Sequence, residues 1–167
     1  MRVGVLTISD RSSRGERADT SGEVIAEVMA RHDADVTVYA LVPDEQALIS
    51  RRLLEWADSG AIDLIVTTGG TGLGPRDVTP EATLAIVDRV VPGLAEAMRA
   101  DSLKKTPHAM LSRAVCGARG TCLVINLPGS PEAVRECLDT IMPALPHAVD
   151  TMQGRVADCA NTPVGQP

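Results

Sequence analysis

The sequence predicts an α/β fold: a parallel or mostly parallel sheet with helices on both faces. Two observations carry the prediction. Strand-like runs of Val, Ile and Leu alternate with amphipathic helical segments, an order that builds parallel sheets through helical crossovers. The runs are apolar throughout instead of alternating, as expected of strands buried on both faces. The length of 167 residues and a hydrophobic fraction of 44% allow one domain with a substantial core and argue against disorder.

The elements follow in order. Arg2–Ser9 is the first strand. Thr20-Ser21-Gly22-Glu23 fits a capping box and opens a helix through about His32, with Val24, Ile25, Val28 and Met29 on its face. Val36–Val42 is the second strand, stopped by Pro43. A helix runs from Asp44 to about Asp58, with Ile49, Leu53 and Trp56 on one side. Asp63–Thr68 is the third strand and leads into the glycine-rich loop Gly69–Gly74. Thr79-Pro80 reads as a cap with proline at the first helical position, starting a helix to about Arg89. An irregular segment from Pro92 to Arg119 follows, with a helix over Gly93–Lys104. Thr121–Leu127 is a further buried strand. Ser130-Pro131 caps a helix over Ala133–Met142, which Pro143 and Pro146 kink or restart. Residues 1–151 form the domain and 152–167 a loosely held tail without periodicity.

Charge and composition narrow the function. The net charge is −6, and aromatics are one Trp, one Tyr and no Phe. An acidic chain with so few aromatic rings is a poor nucleic-acid binder, which would show a basic surface or stacking platforms. A membrane span needs about 20 predominantly apolar residues, and the apolar runs here are strand-length. With no export signal, the expected location is the cytoplasm and the expected state of the cysteines is reduced. Cys116, Cys122, Cys137 and Cys159 form no C-x-x-C pair, and His32, His108 and His147 are scattered, so zinc has little support. No G-x-S-x-G elbow marks a serine hydrolase.

In doubly wound sheets, ligands bind beyond the carboxyl ends of the strands. Four segments lie there: Ser9–Thr20, Pro43-Asp44, Gly69–Asp77 and Asn126–Pro131. The loop Gly69-Gly70-Thr71-Gly72-Leu73-Gly74-Pro75-Arg76-Asp77 can bring backbone N–H groups against an anion. It is neither a Walker A loop, since Pro75-Arg76 stands where Lys-Ser would, nor G-x-G-x-x-G, since Pro75 occupies the sixth position from Gly70. Asp44 and Asp77 each have a reading as helix-start residues. Together in one crevice they offer two carboxylates for Mg²⁺ or for acid–base work. Ser9 and Asp10 sit nearest the first strand end. Arg76, Lys104-Lys105 and Ser112-Arg113 offer positive charge and a hydroxyl for phosphate. Asn126-Leu127-Pro128-Gly129-Ser130 feeds a helix N-terminus, a ready anion site, with a plain helix cap as the competing reading.

These residues resemble a known family. Gly4-Val5-Leu6-Thr7-Ile8-Ser9-Asp10, Thr67-Thr68-Gly69-Gly70-Thr71-Gly72, Arg76-Asp77-Val78-Thr79-Pro80-Glu81-Ala82, Met110-Leu111-Ser112-Arg113 and Asn126-Leu127-Pro128-Gly129-Ser130-Pro131 resemble the molybdopterin adenylyltransferases. These are the MogA/MoaB-like group that includes the gephyrin G domains. The resemblance covers about Met1 to Thr151. It implies a three-layer α/β/α sandwich, a homotrimer, and transfer of AMP from Mg-ATP to the phosphate of molybdopterin with release of pyrophosphate. It also implies a partner that inserts molybdenum into the adenylylated pterin. Asp44 and Asp77 match the family's two important aspartates. Gly69–Gly72, Ser112-Arg113 and Asn126–Ser130 match its substrate-binding segments. Relatives that bind pterin without adenylylating it tend to lose the Arg-Asp-Val-Thr-Pro pattern, which this chain keeps. A trimeric pterin-binding or scaffold module without catalysis is the alternative reading. The scarcity of aromatics further predicts that neither adenine nor pterin is stacked on Trp56 or Tyr39.

Overall fold

A computed structural model describes residues 1–156. Six strands form one sheet in the order β2-β1-β3-β6-β5-β4. They are β1 (Arg2–Ile8), β2 (Asp35–Val42), β3 (Leu64–Thr68), β4 (Arg89–Val90), β5 (Cys116–Arg119) and β6 (Cys122–Leu127). The first four in spatial order, β2, β1, β3 and β6, are parallel, and β5 and β4 continue antiparallel. The helices are α1 (Asp10–Ser13), α2 (Thr20–Ala30), α3 (Gln46–Ala57), α4 (Thr79–Leu84), α5 (Pro92–Ser102), α6 (Pro131–Ile141) and α7 (Leu145–Met152).

The period of two along each strand divides the core between the sheet's faces. Val3 and Val5, Leu64 and Val66, and Leu123, Ile125 and Leu127 face a layer of α2, α5, α6 and the start of α7, through Ile25, Met29, Met98, Val134, Leu138 and Leu145. Leu6 and Ile8, Ile65, and Cys122 and Val124 face α3 and α4, through Ile49, Leu53, Trp56 and Ala82. This is the expected three-layer sandwich. Gly4 is required on the α3 side, because a Cβ there would come within 2.9 Å of the Trp56 ring. Cys116, Cys122 and Cys137 are buried free thiols. Burial pushes Cys116 and Cys122 up to about 12, so both stay neutral.

Several sequence expectations are corrected at helix starts. Asp19, not Thr20, caps α2, its carboxylate accepting from Gly22 N at 3.0 Å. Asp44 does not cap α3: that helix begins at Gln46 after Glu45, which makes no side-chain cap bond. Thr79 is already inside α4, and its hydroxyl donates to Gly69 O at 2.9 Å. Asp44 and Thr79 are engaged by other segments instead, Asp44 by Asp10 N and Thr79 by Gly69 O. The helix expected to reach Arg89 ends at Leu84, because Arg89 joins the sheet as β4. The irregular stretch before Arg119 contains a strand the sequence does not announce: β5, folded back on β6 through Gly120 at φ +52°. Ser130 does cap α6, accepting from Ala133 N at 3.2 Å.

Asp63, at the foot of β3, joins both ends of the described chain. Its carboxylate, 8% exposed, accepts from Arg2 N at 2.7 Å, from the Arg2 guanidinium at 2.6 Å and from Gln153 Nε2 at 2.8 Å. Gln153 is therefore held, although composition predicts a loose tail from that point; residues 157–167, Cys159 among them, lie outside the described residues. The Arg2 pair outweighs burial and lowers the Asp63 pKa to about 2. The folded value is depressed, so this stabilisation is present above the unfolded pKa near 4 and is lost as pH falls from about 4 toward 2. With Arg2 half exposed, it is worth about 1–2 kcal/mol. Urea titrations of the Asp63→Asn variant are expected to show that deficit at pH 7 and its disappearance near pH 2. A deficit independent of pH would contradict this account.

Candidate functional site

The carboxyl ends of β1, β2, β3 and β6 open onto two adjoining cavities. The smaller, about 230 Å³, is lined by Ser9, Asp19, Ser21, Asp44, Thr68, Gly69 and Arg17 among others. The larger, about 460 Å³, is lined by Thr71, Gly72, Ser112, Pro128 and Ser130 on the loop side and by faces of α5 and α6 on the other. Only Gly70, Asp77 and Gly129 belong to both walls.

The glycine loop is fastened from behind. Gly69 and Gly70 carbonyls accept from the Thr79 hydroxyl and the Thr79 N–H, and the Thr71 carbonyl accepts from Arg113 N at 2.9 Å. Among the described residues, the N–H groups of Gly70, Thr71 and Gly72 have no protein acceptor. These are the groups a phosphate would take. The backbone demands glycine: Gly69 sits at φ +96° and Gly70 at φ +63°. Opposite, Gly129 is held by Ser21 Oγ donating to its carbonyl at 2.7 Å, and Pro128 by Thr68 Oγ1 at 2.7 Å.

Asp44 is half-buried, and its pKa is raised, first by desolvation and then by the neighbouring charges of Asp10 and Asp77, while the N–H of Asp10 opposes the rise. Asp10 and Asp44 clasp one another: Asp10 N donates to Asp44 Oδ2 at 2.8 Å, and Asp44 N donates to Asp10 Oδ1 at 3.1 Å. Arg76 closes over Asp10 with a two-pronged pair at 3.0 and 2.8 Å, which lowers the Asp10 pKa. Asp77 Oδ2 accepts from Gly74 N at 2.7 Å, turning the loop back on itself.

The cavities gather most of the residues singled out from sequence: Ser9, Asp44, Gly69, Gly70, Thr71, Gly72, Asp77, Ser112, Pro128, Gly129 and Ser130. Four do not line either cavity. Asp10 and Arg76 pair with each other. Arg113 spends its guanidinium on the carbonyls of Gly72 and Asp77 and on Glu81. Asn126 is fully buried, its amide donating to Thr67 and Thr83 hydroxyls at 3.0 and 2.9 Å. The polar groups of these four are engaged within the protein. Sequence reasoning passes over the helical wall of the larger cavity, including Ala95, Arg99, Ala133 and Glu136. Its signal is alanine on inward helix faces, where a packed core would place larger residues.

Residues 4–147 match the family model described as "Probable molybdopterin binding domain". The chain belongs to this family. A molybdopterin adenylyltransferase of Helicobacter pylori is 45% identical over 156 residues, spanning 92% of this chain and 89% of that protein. Gephyrin of Dictyostelium discoideum is 43% identical over 163 residues, covering 92% of this chain but 23% of its own length. The crystal structure of the molybdopterin biosynthesis enzyme MoaB from Thermus thermophilus superposes with a TM-score of 0.87 at 55% identity, covering 92% of this chain and 96% of that one. The sheet and helical layers are thus those of this molybdopterin-binding domain family. Among the described residues, no helix is long and apolar enough to cross a membrane.

Proposed function

We propose that this chain is a molybdopterin adenylyltransferase, moving AMP from Mg-ATP to the terminal phosphate of molybdopterin. The supporting observation is the pair of cavities that meet at Gly70, Asp77 and Gly129. A transfer between two bound substrates needs two sites with one point of contact, and that point needs anion-stabilising groups.

In the step, a molybdopterin phosphate oxygen bonds to the α-phosphorus of ATP as the α–β bridging bond breaks. The bond's electrons leave with pyrophosphate. The attacking oxygen is already ionised, so no general base is required; the barrier is the approach of two polyanions. The open N–H groups of the Gly70–Gly72 turn and of the Gly129-Ser130 turn receive phosphate oxygens. Arg113 and Thr79 keep the loop in shape. Asp44 and Asp77 suit Mg²⁺, which takes one or two carboxylates and fills its remaining positions with phosphate oxygens and water. Their donor set fits: of the three carboxylates lining the smaller cavity, Asp19 is committed to Gly22 N and the Tyr39 hydroxyl, which leaves Asp44 and Asp77, and no group of three acidic, His or Cys residues placed to hold a metal occurs among the described residues. When bound, the metal neutralises phosphate charge. The homotrimer and the metal-inserting partner accompany this reading through the family resemblance.

The test is pyrophosphate release from Mg-ATP by the purified chain. Release that depends on added molybdopterin supports the reading. Tight molybdopterin binding without pyrophosphate release would replace it with the scaffold reading.

A further inference from the structure

The wall of the larger cavity follows α6 from the loop side, and its residues change in chemistry along that helix. Along α6, the residues in its wall are Ser130, Ala133, Glu136 and Cys137, one face of the helix. Ser130 and Gly129 stand at the reacting end. Glu136 stands about 9 Å further along the axis, six residues at about 1.5 Å each. The lining includes the apolar side chains of Ala95, Met98 and Ala133, with Arg99 and Ser102 beside them on α5. Apart from Asp77 at the reacting end, Glu136 is the acidic residue of this wall. Lys105 pairs with its Oε1 at 2.8 Å, and Oε2 has no protein partner among the described residues.

We propose that Glu136 is the specificity residue of this cavity, reading the donor edge of a pterin ring whose phosphate end lies at Gly129 and Asp77. The inference rests on the adenylyltransferase reading and deepens it, by deciding which cavity takes which substrate. The pterin edge presents a 2-amino group beside a ring N–H, two parallel donors in one plane. A carboxylate offers two acceptors in matching geometry, as it does to arginine. Adenine presents one amino donor beside a ring acceptor on its corresponding edge, so a carboxylate meets it poorly. Apolar side chains of the lining take the ring faces, with no Trp, Tyr or Phe in the wall. The nucleotide then occupies the smaller, polar cavity, beside Asp44.

The experiment measures binding of pterin itself, of lumazine (a 2-oxo group in place of the 2-amino) and of AMP to the full chain by calorimetry. Glu136→Gln is expected to weaken pterin by at least ~10-fold while leaving AMP unchanged. The wild-type chain is expected to bind lumazine no better than the variant binds pterin. Lys105→Met, which removes the ion pair but keeps the carboxylate, is expected to keep pterin affinity within ~3-fold. Undiminished pterin binding by Glu136→Gln, or weakening of AMP instead of pterin, would overturn the assignment. These readouts are independent of AMP transfer, so a chain that fails to release pyrophosphate but discriminates pterin through Glu136 would sink only the catalytic reading.

Discussion

Asp77→Asn is expected to lower molybdopterin-dependent pyrophosphate release by at least ~10²-fold while leaving the melting temperature nearly unchanged. The substituted amide keeps an oxygen to accept from Gly74 N, so the loop retains its turn. What it loses is the negative charge that would hold a hard cation where the two cavities join. Asp44→Asn is expected to follow the same pattern with a smaller loss. Its carboxylate lines only the smaller cavity, and the amide can still accept from Asp10 N. Because Asn preserves both internal bonds, reduced activity in these variants reports charge at the reaction centre, not collapse of the loop. Full activity in both folded variants would remove these aspartates from the mechanism.

Gly69→Ala is expected to be the most damaging single methyl that can be added to the site. Gly69 sits at φ +96°, and its Cβ would press into the carbonyl of Ile8, a backbone atom that cannot swing away. The same residue donates to Leu127 O and accepts from Thr79, so the ends of β1, β3, β6 and the start of α4 are fixed on it. Left-handed strain alone costs about 1–2 kcal/mol; strain and clash together are expected to cost about 3 kcal/mol or more. For a chain of this size that is a fall of roughly 6–12 °C in Tm. Gly60→Ala is the control: its φ is +67° but nothing lies within 4 Å of the added carbon, so it is expected to show the strain alone. Melting of the two variants within about two degrees of each other would show that the clash is relieved by a backbone shift.

Much of the fold is readable from the chain because the information is local. Runs such as Leu64–Thr68 and Cys122–Leu127 announce buried strands, and the glycine loop announces a close approach of backbone to ligand. The parallel topology then directs attention to the strand ends, where Asp44, Asp77 and Ser130 line the two adjoining cavities. What the sequence does not display are side chains that bond across long separations. Asp44 reads as a cap until Asp10, 34 residues away, supplies a backbone N–H to its carboxylate. Arg113 donates its Nε–H to Gly72 O, 41 residues away, at 2.7 Å, a contact its sequence neighbours do not announce. Asn126 donates to Thr67 and Thr83, 59 and 43 residues away, which local sequence likewise does not announce. β5 escapes because Cys-Gly-Ala-Arg carries no strand signal of its own; it is a strand only because β6 lies beside it through a tight turn.

The interleaved strand order also bears on how the molecule acquires its activity. β1 pairs with β2 and β3, and β3 with β6, all in parallel. The bond between Thr67 and Asn126 spans 59 residues. Each such pairing must close a long loop before its contacts repay the lost chain entropy, which places this topology toward the slow end for chains of its length. The β5–β6 hairpin is the local exception, and of its two strands β6 brings its carboxyl end to the reaction centre. Because the centre is assembled from the ends of β1, β2, β3 and β6 together, no early fragment of the sheet contains it. The centre is therefore complete only when all four parallel strands are paired, and inactivation by denaturant is expected to coincide with loss of the far-ultraviolet dichroism of the sheet.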